Sequence, residues 1–237
     1  MSSPGKLAGD GLGAVLGAIA RTLQAEPDVA TTLTAIVAAA LKQVTGADYA
    51  GISLIEHGKI RTVAPTDAVV TRIDEMQYRT GQGPCVNAIA EHEIFRTGDL
   101  TAETRWPKFT PAAADTGMRS MLAYRLFVSD TTLGSLNLYS RTVHAFSDQT
   151  ERDGSVFASH AAIALTGAQT EAGLHIALEH RDTIGMAKGI LMQCHGIDSL
   201  RAFQMLVETS QASNMKLHQV AAWLVEHHQE LWLRGDT

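Results

Sequence analysis

The sequence has few cysteines, few aromatic residues and no long uninterrupted hydrophobic segment. Of the 237 residues, 2 are cysteines and 5% are aromatic. Cys85 and Cys194 lie far apart, and neither has the CxxC or Cys/His spacing of a zinc site. The longest apolar stretches, such as 35–41, are much shorter than the ~20 residues that span a bilayer. The N-terminal segment has a helical rather than a continuously apolar pattern and contains charged residues such as Lys6 and Arg21, which argues against a signal peptide. We therefore predict a cytoplasmic protein.

An excess of positive charge is also lacking. The net charge is −6 and the isoelectric point is near 5.9, whereas proteins that bind nucleic acid without specificity are normally basic. The composition itself is ordinary for globular proteins, with 45% hydrophobic and 19% charged residues. The chain is long enough for one large domain or two ordinary ones. General nucleic-acid binding is therefore disfavoured, and two packed domains are possible.

The first two thirds of the chain change from helical to strand periodicity. Apolar residues at helical spacing predict an amphipathic helix within 1–27 and a second helix over 29–44. The following segment alternates with a period of two and contains turn residues between the runs. The predicted strands are 49–55, 60–64, 94–97, 120–129 and 134–140, and the predicted helices are 67–76, 85–91 and one ending near Gly117. Residues 28–166 are thus predicted to form an α+β domain with an antiparallel sheet.

Helical patterns dominate the remainder of the chain. No proline occurs from 148 to 194, which predicts one long helix or two nearly continuous ones, with Ser147 as N-cap. A seven-residue spacing, interrupted by Thr170, suggests a coiled-coil dimer seam of Val156, Ile163, Ala177, Ile184 and Leu191. Gly196 ends this segment, Asp198 caps a second helix, and a third helix follows Asn214. Residues 167–237 are predicted to form an all-α three-helix domain.

Two short segments resemble elements of the GAF sensory domain family. Residues 81–88, GQGPCVNA, resemble its Gly-x-Gly-x-x-x-x-Ala element, and 133–140 resemble its Leu-Gly-x-Leu strand. The resemblance covers about 30–165 and implies a domain that senses an unidentified small molecule. The candidate ligand-binding residues are Gln82, Cys85, Asn137 and Tyr139. The sequence identifies no cofactor, and it predicts no metal site.

The C-terminal helices resemble ANTAR domains more specifically. Residues 177–192 contain Arg181, Ile184-Gly185 and Ala187-Lys188-Gly189, which resemble the signature helix of that family, and 202–221 continue the match without a gap. The resemblance implies binding to paired small hairpins in messenger leaders, which prevents a terminator from forming. Met215 departs from the pattern, since the family often has a polar or basic residue there.

Five residues are candidates for RNA binding: Lys188, Arg201, Ser210, Asn214 and Lys216. Several have structural alternatives. Ser210 can bond back to the carbonyl of residue 206, and Asn214 can act as the N-cap of the third helix. Lys216 in the first turn of that helix is unfavourable against the helix dipole, which favours an external anion at this position.

Charge limits how the RNA could be bound. Residues 171–237 contain five lysine and arginine residues against eight acidic ones, a net charge of −3. Non-specific affinity should therefore be poor, and binding would need a focused patch, hairpin shape and two domains acting together in a homodimer. We predict a homodimeric, non-enzymatic, ligand-responsive transcription antiterminator.

Two alternatives remain open at this point. The acidic balance also suits a sensor whose C-terminal helices bind a protein partner without RNA. An enzyme similar to the free-methionine sulfoxide reductases, which use GAF folds, would need several cysteines in the pocket, and Cys85 is the only cysteine in this half.

Overall fold

The structure of the protein, a computed structural model, describes residues 28–91 and 94–232. The chain divides into two compact units, Met1–Gln169 and Thr170–Thr237. The amphipathic helix predicted within 1–27 lies outside the described residues. Among the residues that are described, no helix is long and apolar enough to cross a membrane.

An antiparallel sheet forms the centre of the first unit. Within the described residues its five strands are β1 (Tyr49–Glu56), β2 (Lys59–Val63), β3 (Ile94–Thr97), β4 (Ser120–Val128) and β5 (Thr131–Ser140). They lie in the order β2-β1-β5-β4-β3, and every neighbouring pair is antiparallel. The predicted sheet is confirmed, but β5 begins earlier than the predicted Gly134. Ser129, with φ 53°, closes the turn between β4 and β5 within two residues.

One face of the sheet packs against two helices. These are α1 (Val29–Gln43) and the first part of α5 (Asp148–His195). Because successive side chains of a strand point to opposite faces, Ala50, Ile52 and Leu54 of β1 all enter this core. Their partners in the core include Ile36, Val37, Ala40, Leu122, Leu136, Leu138, Phe157 and Ala161.

Three shorter helices cover the opposite face. They are α2 (Ala68–Thr80), α3 (Pro84–Glu91) and α4 (Thr110–Asp115). Helix α2 runs four residues beyond its predicted end because Gly81, with φ 64°, supplies the left-handed C-cap. The apolar part of this layer contains Val70, Ile73, Trp106, Phe109, Met118 and Met121. The same layer also holds the polar groups of the first candidate site.

The proline-free segment forms one continuous helix, α5, of 48 residues. Its N-terminus is capped as predicted, since the Ser147 hydroxyl oxygen accepts from the amide of Thr150 at 3.1 Å. Gly196, with φ 61°, follows its last turn. The predicted seven-residue seam has two different environments: Ile163 is 60% exposed, whereas Leu191 is buried among residues of the second unit.

Helices α6 (Ser199–Ser213) and α7 (Leu217–Trp232) complete the second unit. Asp198 caps α6 as predicted and accepts from the amide of Arg201 at 2.8 Å. The end of α5 packs with both helices around a small core of Ala187, Leu191, Ala202, Leu206, Val220, Ala221 and Leu224. The predicted all-α three-helix arrangement is confirmed.

Candidate functional site

A cluster of polar side chains lies buried in the first unit, between the sheet and helices α2 and α3. Ser53, Asp74, Gln77, Ser135 and Asn137 are all fully buried. Burying polar groups is costly unless they are hydrogen-bonded. In the described residues, every buried side-chain nitrogen and oxygen has such a partner. The cluster is therefore a closed, internally satisfied network.

The Asp74 carboxylate is the acceptor at the centre of this network. It accepts from Thr62 Oγ1 at 2.9 Å, Gln77 Nε2 at 3.1 Å and Asn137 Nδ2 at 3.3 Å, and also from the Tyr139 hydroxyl. Desolvation nevertheless outweighs these bonds and raises the pKa of Asp74 to about 6. The first unit thus contains a buried carboxyl group that titrates close to neutrality.

Cys85 belongs to the same network as a thiol. Its Sγ lies 3.1 Å from Ser53 Oγ, and its backbone amide donates to Gln77 Oε1 at 2.9 Å. Burial, followed by the charge of Asp74, raises the pKa of the Cys85 thiol to about 12. Because the thiolate is the nucleophilic form, this cysteine is suited to packing and hydrogen bonding rather than to catalysis.

The structure brings three of the four candidate ligand-binding residues together. Cys85, Asn137 and Tyr139 all lie in the buried network. Gln82 does not, because its Oε1 accepts from the backbone amide of Lys108 at 2.8 Å. The sequence analysis missed Asp74, although a signal was present: it shares the buried stripe of α2 with Val70, Ile73 and Gln77 at helical spacing.

A second candidate site lies in the C-terminal unit. A groove of about 540 Å³ lies beside α5 and α6. It is lined by Ala177, His180, Arg181, Ile184, Gly185, Lys188 and Phe203. Lys188 is half-buried, and Phe203 keeps 38% of its surface exposed. The groove therefore contains two side chains that are positively charged at neutral pH, Arg181 and Lys188, and the accessible aromatic ring of Phe203.

Helix α7 contacts one of the residues that line this groove, because its His218 stacks on His180. The rings of His180 and His218 stack with their centroids 3.7 Å apart and their planes at 10°. Partial desolvation, followed by the charges of His180 and Lys216, lowers the pKa of His218. Lys216 thus acts electrostatically on His218, which stacks on the groove residue His180. We refer to Arg181, Lys188, Lys216 and the two histidines as the cationic cluster.

The cations of this cluster have no acidic partners within the described chain. None of Arg181, Lys188 and Lys216 takes part in an ion pair among the described residues. Arg201 differs, since its Nη1 lies 3.1 Å from Glu208 Oε1. The second unit therefore has a local positive surface despite its net negative charge.

The turn between α6 and α7 corrects three sequence expectations. Asn214 is the left-handed C-cap of α6, with φ 54°, and not the N-cap of α7, because α7 begins only at Leu217. The Ser210 hydroxyl donates to the carbonyl of Met215 at 2.6 Å, across the turn, and not to residue 206. Lys216 does not lie in the first turn of α7, as expected, but immediately precedes it, and its carbonyl accepts from the amide of Val220.

Two family models match the chain. The GAF domain model matches residues 26–166, and the ANTAR domain model matches residues 172–225. The first match covers more than half of the chain. No curated protein matches the chain in sequence.

Several solved structures share the fold. The GAF domain from a phosphoenolpyruvate-protein phosphotransferase of Coxiella burnetii is 17% identical at a TM-score of 0.58, covering 70% of this chain and 99% of that one. The reduced form of fRMsr of Staphylococcus aureus is 16% identical at 0.53, covering 70% and 99%. The free methionine-R-sulfoxide reductase from Neisseria meningitidis, in complex with its substrate, is 18% identical at 0.52, covering 67% and 90%. At these identities the likeness shows the fold alone.

Proposed function

This chain belongs to the GAF domain family and carries an ANTAR domain after it, and from this premise we propose that it binds paired hairpins in messenger leaders and prevents a terminator from forming. A GAF domain followed by an ANTAR domain supports a ligand-sensing regulator of the antiterminator type. Both are regulatory rather than catalytic domains. The fold shared with sulfoxide reductases does not alter this, because the GAF half has Cys85 as its only cysteine.

The cationic cluster is the observation that carries the RNA proposal. Three cations that have no ion-pair partner in the described part of the chain, Arg181, Lys188 and Lys216, occur together in a domain whose net charge is negative. Contacts to phosphate supply most of the affinity in protein–nucleic acid complexes. A compact group of available cations suits the backbone of a small hairpin, while the acidic remainder disfavours binding to arbitrary RNA.

Other side chains at this surface suit contacts to the bases of a hairpin loop. Loops offer unstacked bases that can stack on aromatic rings or hydrogen-bond through their edges. Phe203 presents an exposed ring in the groove. The Asn214 amide group has no hydrogen-bond partner within the described residues, so it is available to a base. Ser210 and Arg201 are weaker candidates, because their side chains already bind Met215 and Glu208.

We further propose that the protein acts as a homodimer, so that two ANTAR domains engage two hairpins. Helix α5 exposes Ile163, Leu174 and Leu178, at 60%, 62% and 54%. From Ile163 through Gly167 and Thr170 to Leu174 the steps are four, three and four residues, the alternation that is typical of a coiled-coil seam, and Leu178 lies one helical turn further on. Leu191 from the original seam is buried in its own domain, so we confine the dimer seam to the earlier part of α5.

The buried network is our proposed ligand site in the GAF domain. Cys85, Asn137 and Tyr139 would face a small molecule that replaces part of their present hydrogen bonding. Since the network is already satisfied, the ligand must offer its own donors and acceptors. Gln82 remains a prediction for an outer contact. Such a ligand can control RNA binding only by binding one arrangement of the protein more tightly than another.

Binding to a leader RNA with two hairpins, measured by fluorescence anisotropy, tests the proposed function. The double variant Lys188→Ala/Lys216→Ala should lose about 3 kcal/mol, roughly 100-fold in affinity, because hydrogen bonds to charged groups contribute about 1.5 kcal/mol or more each. The slope of log affinity against log salt should fall by about two, since two phosphate contacts are lost.

The matched control is Lys42→Ala/Lys59→Ala, which removes the same charge from two exposed positions in the GAF domain. This variant should bind RNA almost as the unmodified protein does. Equal affinity of all three proteins would remove the assignment of the cationic cluster to RNA.

A protein partner for the C-terminal helices is the second candidate function. Two large apolar side chains favour it: Leu200 is 68% exposed and Trp223 is 52% exposed. The ratio of absorbance at 260 and 280 nm of freshly purified protein separates the alternatives, because retained nucleic acid raises it. Native mass spectrometry of the same sample would report dimerisation and any retained ligand.

A further inference from the structure

The stacked histidines of the cationic cluster have an arrangement that limits their charge. His180 comes from α5 and His218 from the first turn of α7, and their rings lie face to face at 3.7 Å. Neutral imidazoles can stack in this way, but two imidazolium ions at this separation repel each other. The observed pair is therefore compatible with at most one proton beyond the neutral state.

The groups around the pair disfavour even that first proton. Arg181 and Lys188 of α5 line the groove beside His180, and Lys216 acts on His218 from the start of α7. Helix α6 contributes Phe203, which carries no charge. Among the described residues, the lining of the groove contains no carboxylate. Consistent with these surroundings, desolvation and the two neighbouring groups lower the pKa of His218.

An anion in the groove would instead favour the protonated form of the histidine pair. A neutral imidazole has one N–H donor, whereas the protonated ring has two and a positive charge. Charge-assisted bonds to phosphate are stronger than neutral ones. A phosphate group beside the pair would therefore favour the imidazolium form, with the additional proton coming from solvent.

We propose that the His180–His218 pair holds a backbone phosphate of the bound RNA and takes up about one proton as it does so. This inference rests on the proposed RNA-binding function and adds two residues to its site. Its consequence is that the affinity for RNA increases as the pH falls below neutrality. The pair thus makes RNA binding sensitive to pH in the physiological range.

The direction in which RNA affinity changes with pH follows from the number of protons bound before and after RNA binds. The complex holds about one more proton than the free protein, so lowering the pH favours the complex. Affinity should rise by up to about tenfold per pH unit between the pKa values of the complex and of the free protein. Because the pKa of His218 is lowered in the free protein, this window extends to more acid pH than for an ordinary histidine.

The experiment is a series of anisotropy titrations of the full chain with a two-hairpin leader RNA, from about pH 8 to pH 6 at constant ionic strength. The unmodified protein should gain on the order of tenfold in affinity. The double variant His180→Gln/His218→Gln should still bind RNA near pH 8 but lose most of the gain, whereas each single variant leaves one imidazole that can take up the proton. His195→Gln, which changes an exposed histidine outside the groove, should keep it.

Calorimetry in buffers of different ionisation enthalpy counts the protons directly. The unmodified protein should take up about one proton per ANTAR domain near pH 6.5, and the double histidine variant close to none. Binding that does not depend on pH, or a gain that survives in the double histidine variant, would overturn the histidine proposal and leave the RNA function standing. Absence of RNA binding at every pH would overturn both.

Discussion

The polar groups of the two units differ in burial and in how far other side chains satisfy them. In the GAF domain, Asp74 and its partners are buried and fully hydrogen-bonded. In the ANTAR domain, Lys188 and Lys216 have no ion-pair partners among the described residues. A satisfied buried network stabilises one arrangement and binds a ligand only by exchanging hydrogen bonds. Unpaired cations at a surface contribute little to stability but remain available to a polyanion. Stability and binding should therefore respond separately to substitutions in the two sites.

The largest expected effect on stability is in the buried network. Tyr139→Ala removes a fully buried aromatic ring and a donor to Asp74, so it should lower the free energy of unfolding by about 3–5 kcal/mol. Chemical denaturation followed by circular dichroism measures this loss. Lys188→Ala is the contrasting control and should change the free energy of unfolding by less than about 0.5 kcal/mol. Similar losses in both variants would break the comparison between the two units.

Asp74→Asn should change how the free energy of unfolding depends on pH, which tests the contribution of the buried network separately from that of the surface cations. The pKa of Asp74 is raised from 3.8 to about 6 in the folded protein. The folded state therefore holds a proton that the unfolded chain releases between these values, and stability is lost as the pH rises through this range. Asp74→Asn removes this pH-dependent loss of stability, because asparagine does not titrate. Its free energy of unfolding relative to the unmodified protein should increase by up to about 3 kcal/mol from pH 4 to pH 7.

Asp99→Asn is the control of opposite sign for that measurement. Hydrogen bonds from Thr101 lower the pKa of Asp99, so its contribution to stability is present near neutral pH and is lost in acid. The variant should be less stable than the unmodified protein near neutrality, and the difference should shrink as the pH falls. A rise in relative stability with pH for both variants would show that Asp74 is not the group responsible.

The smallest expected effect is that of Arg201→Ala. The guanidinium group already pairs with Glu208, and exposed ion pairs of this kind contribute about 0.2–1 kcal/mol. RNA affinity should therefore change by less than roughly threefold, far less than in the Lys188 and Lys216 double variant. A loss as large as that of the double variant would mean that Arg201 exchanges Glu208 for RNA on binding.

Much of the fold was predictable because it depends on local preferences. The alternation of 49–55 and 134–140 predicted the strands, and Ser147, Gly196 and Asp198 predicted where helices begin or end. Caps and turns depend on a few neighbouring backbone groups, so a short window of residues contains the required information. Asn214 is the instructive exception. As an N-cap it would have started a helix, but α7 begins at Leu217, and the left-handed conformation that asparagine tolerates closes α6 instead.

The composition of the two sites was less predictable. The sequence by itself determined the two-domain order, the antiparallel sheet, the three C-terminal helices and the presence of Lys188 and Lys216 in a family motif. Only the tertiary structure decided that Asn137 meets Asp74 across 63 positions of the chain and that His180 stacks on His218. The physical reason is that such contacts arise when separate elements pack together. Their partners depend on strand order and helix placement, and periodicity and capping within a single segment do not specify them.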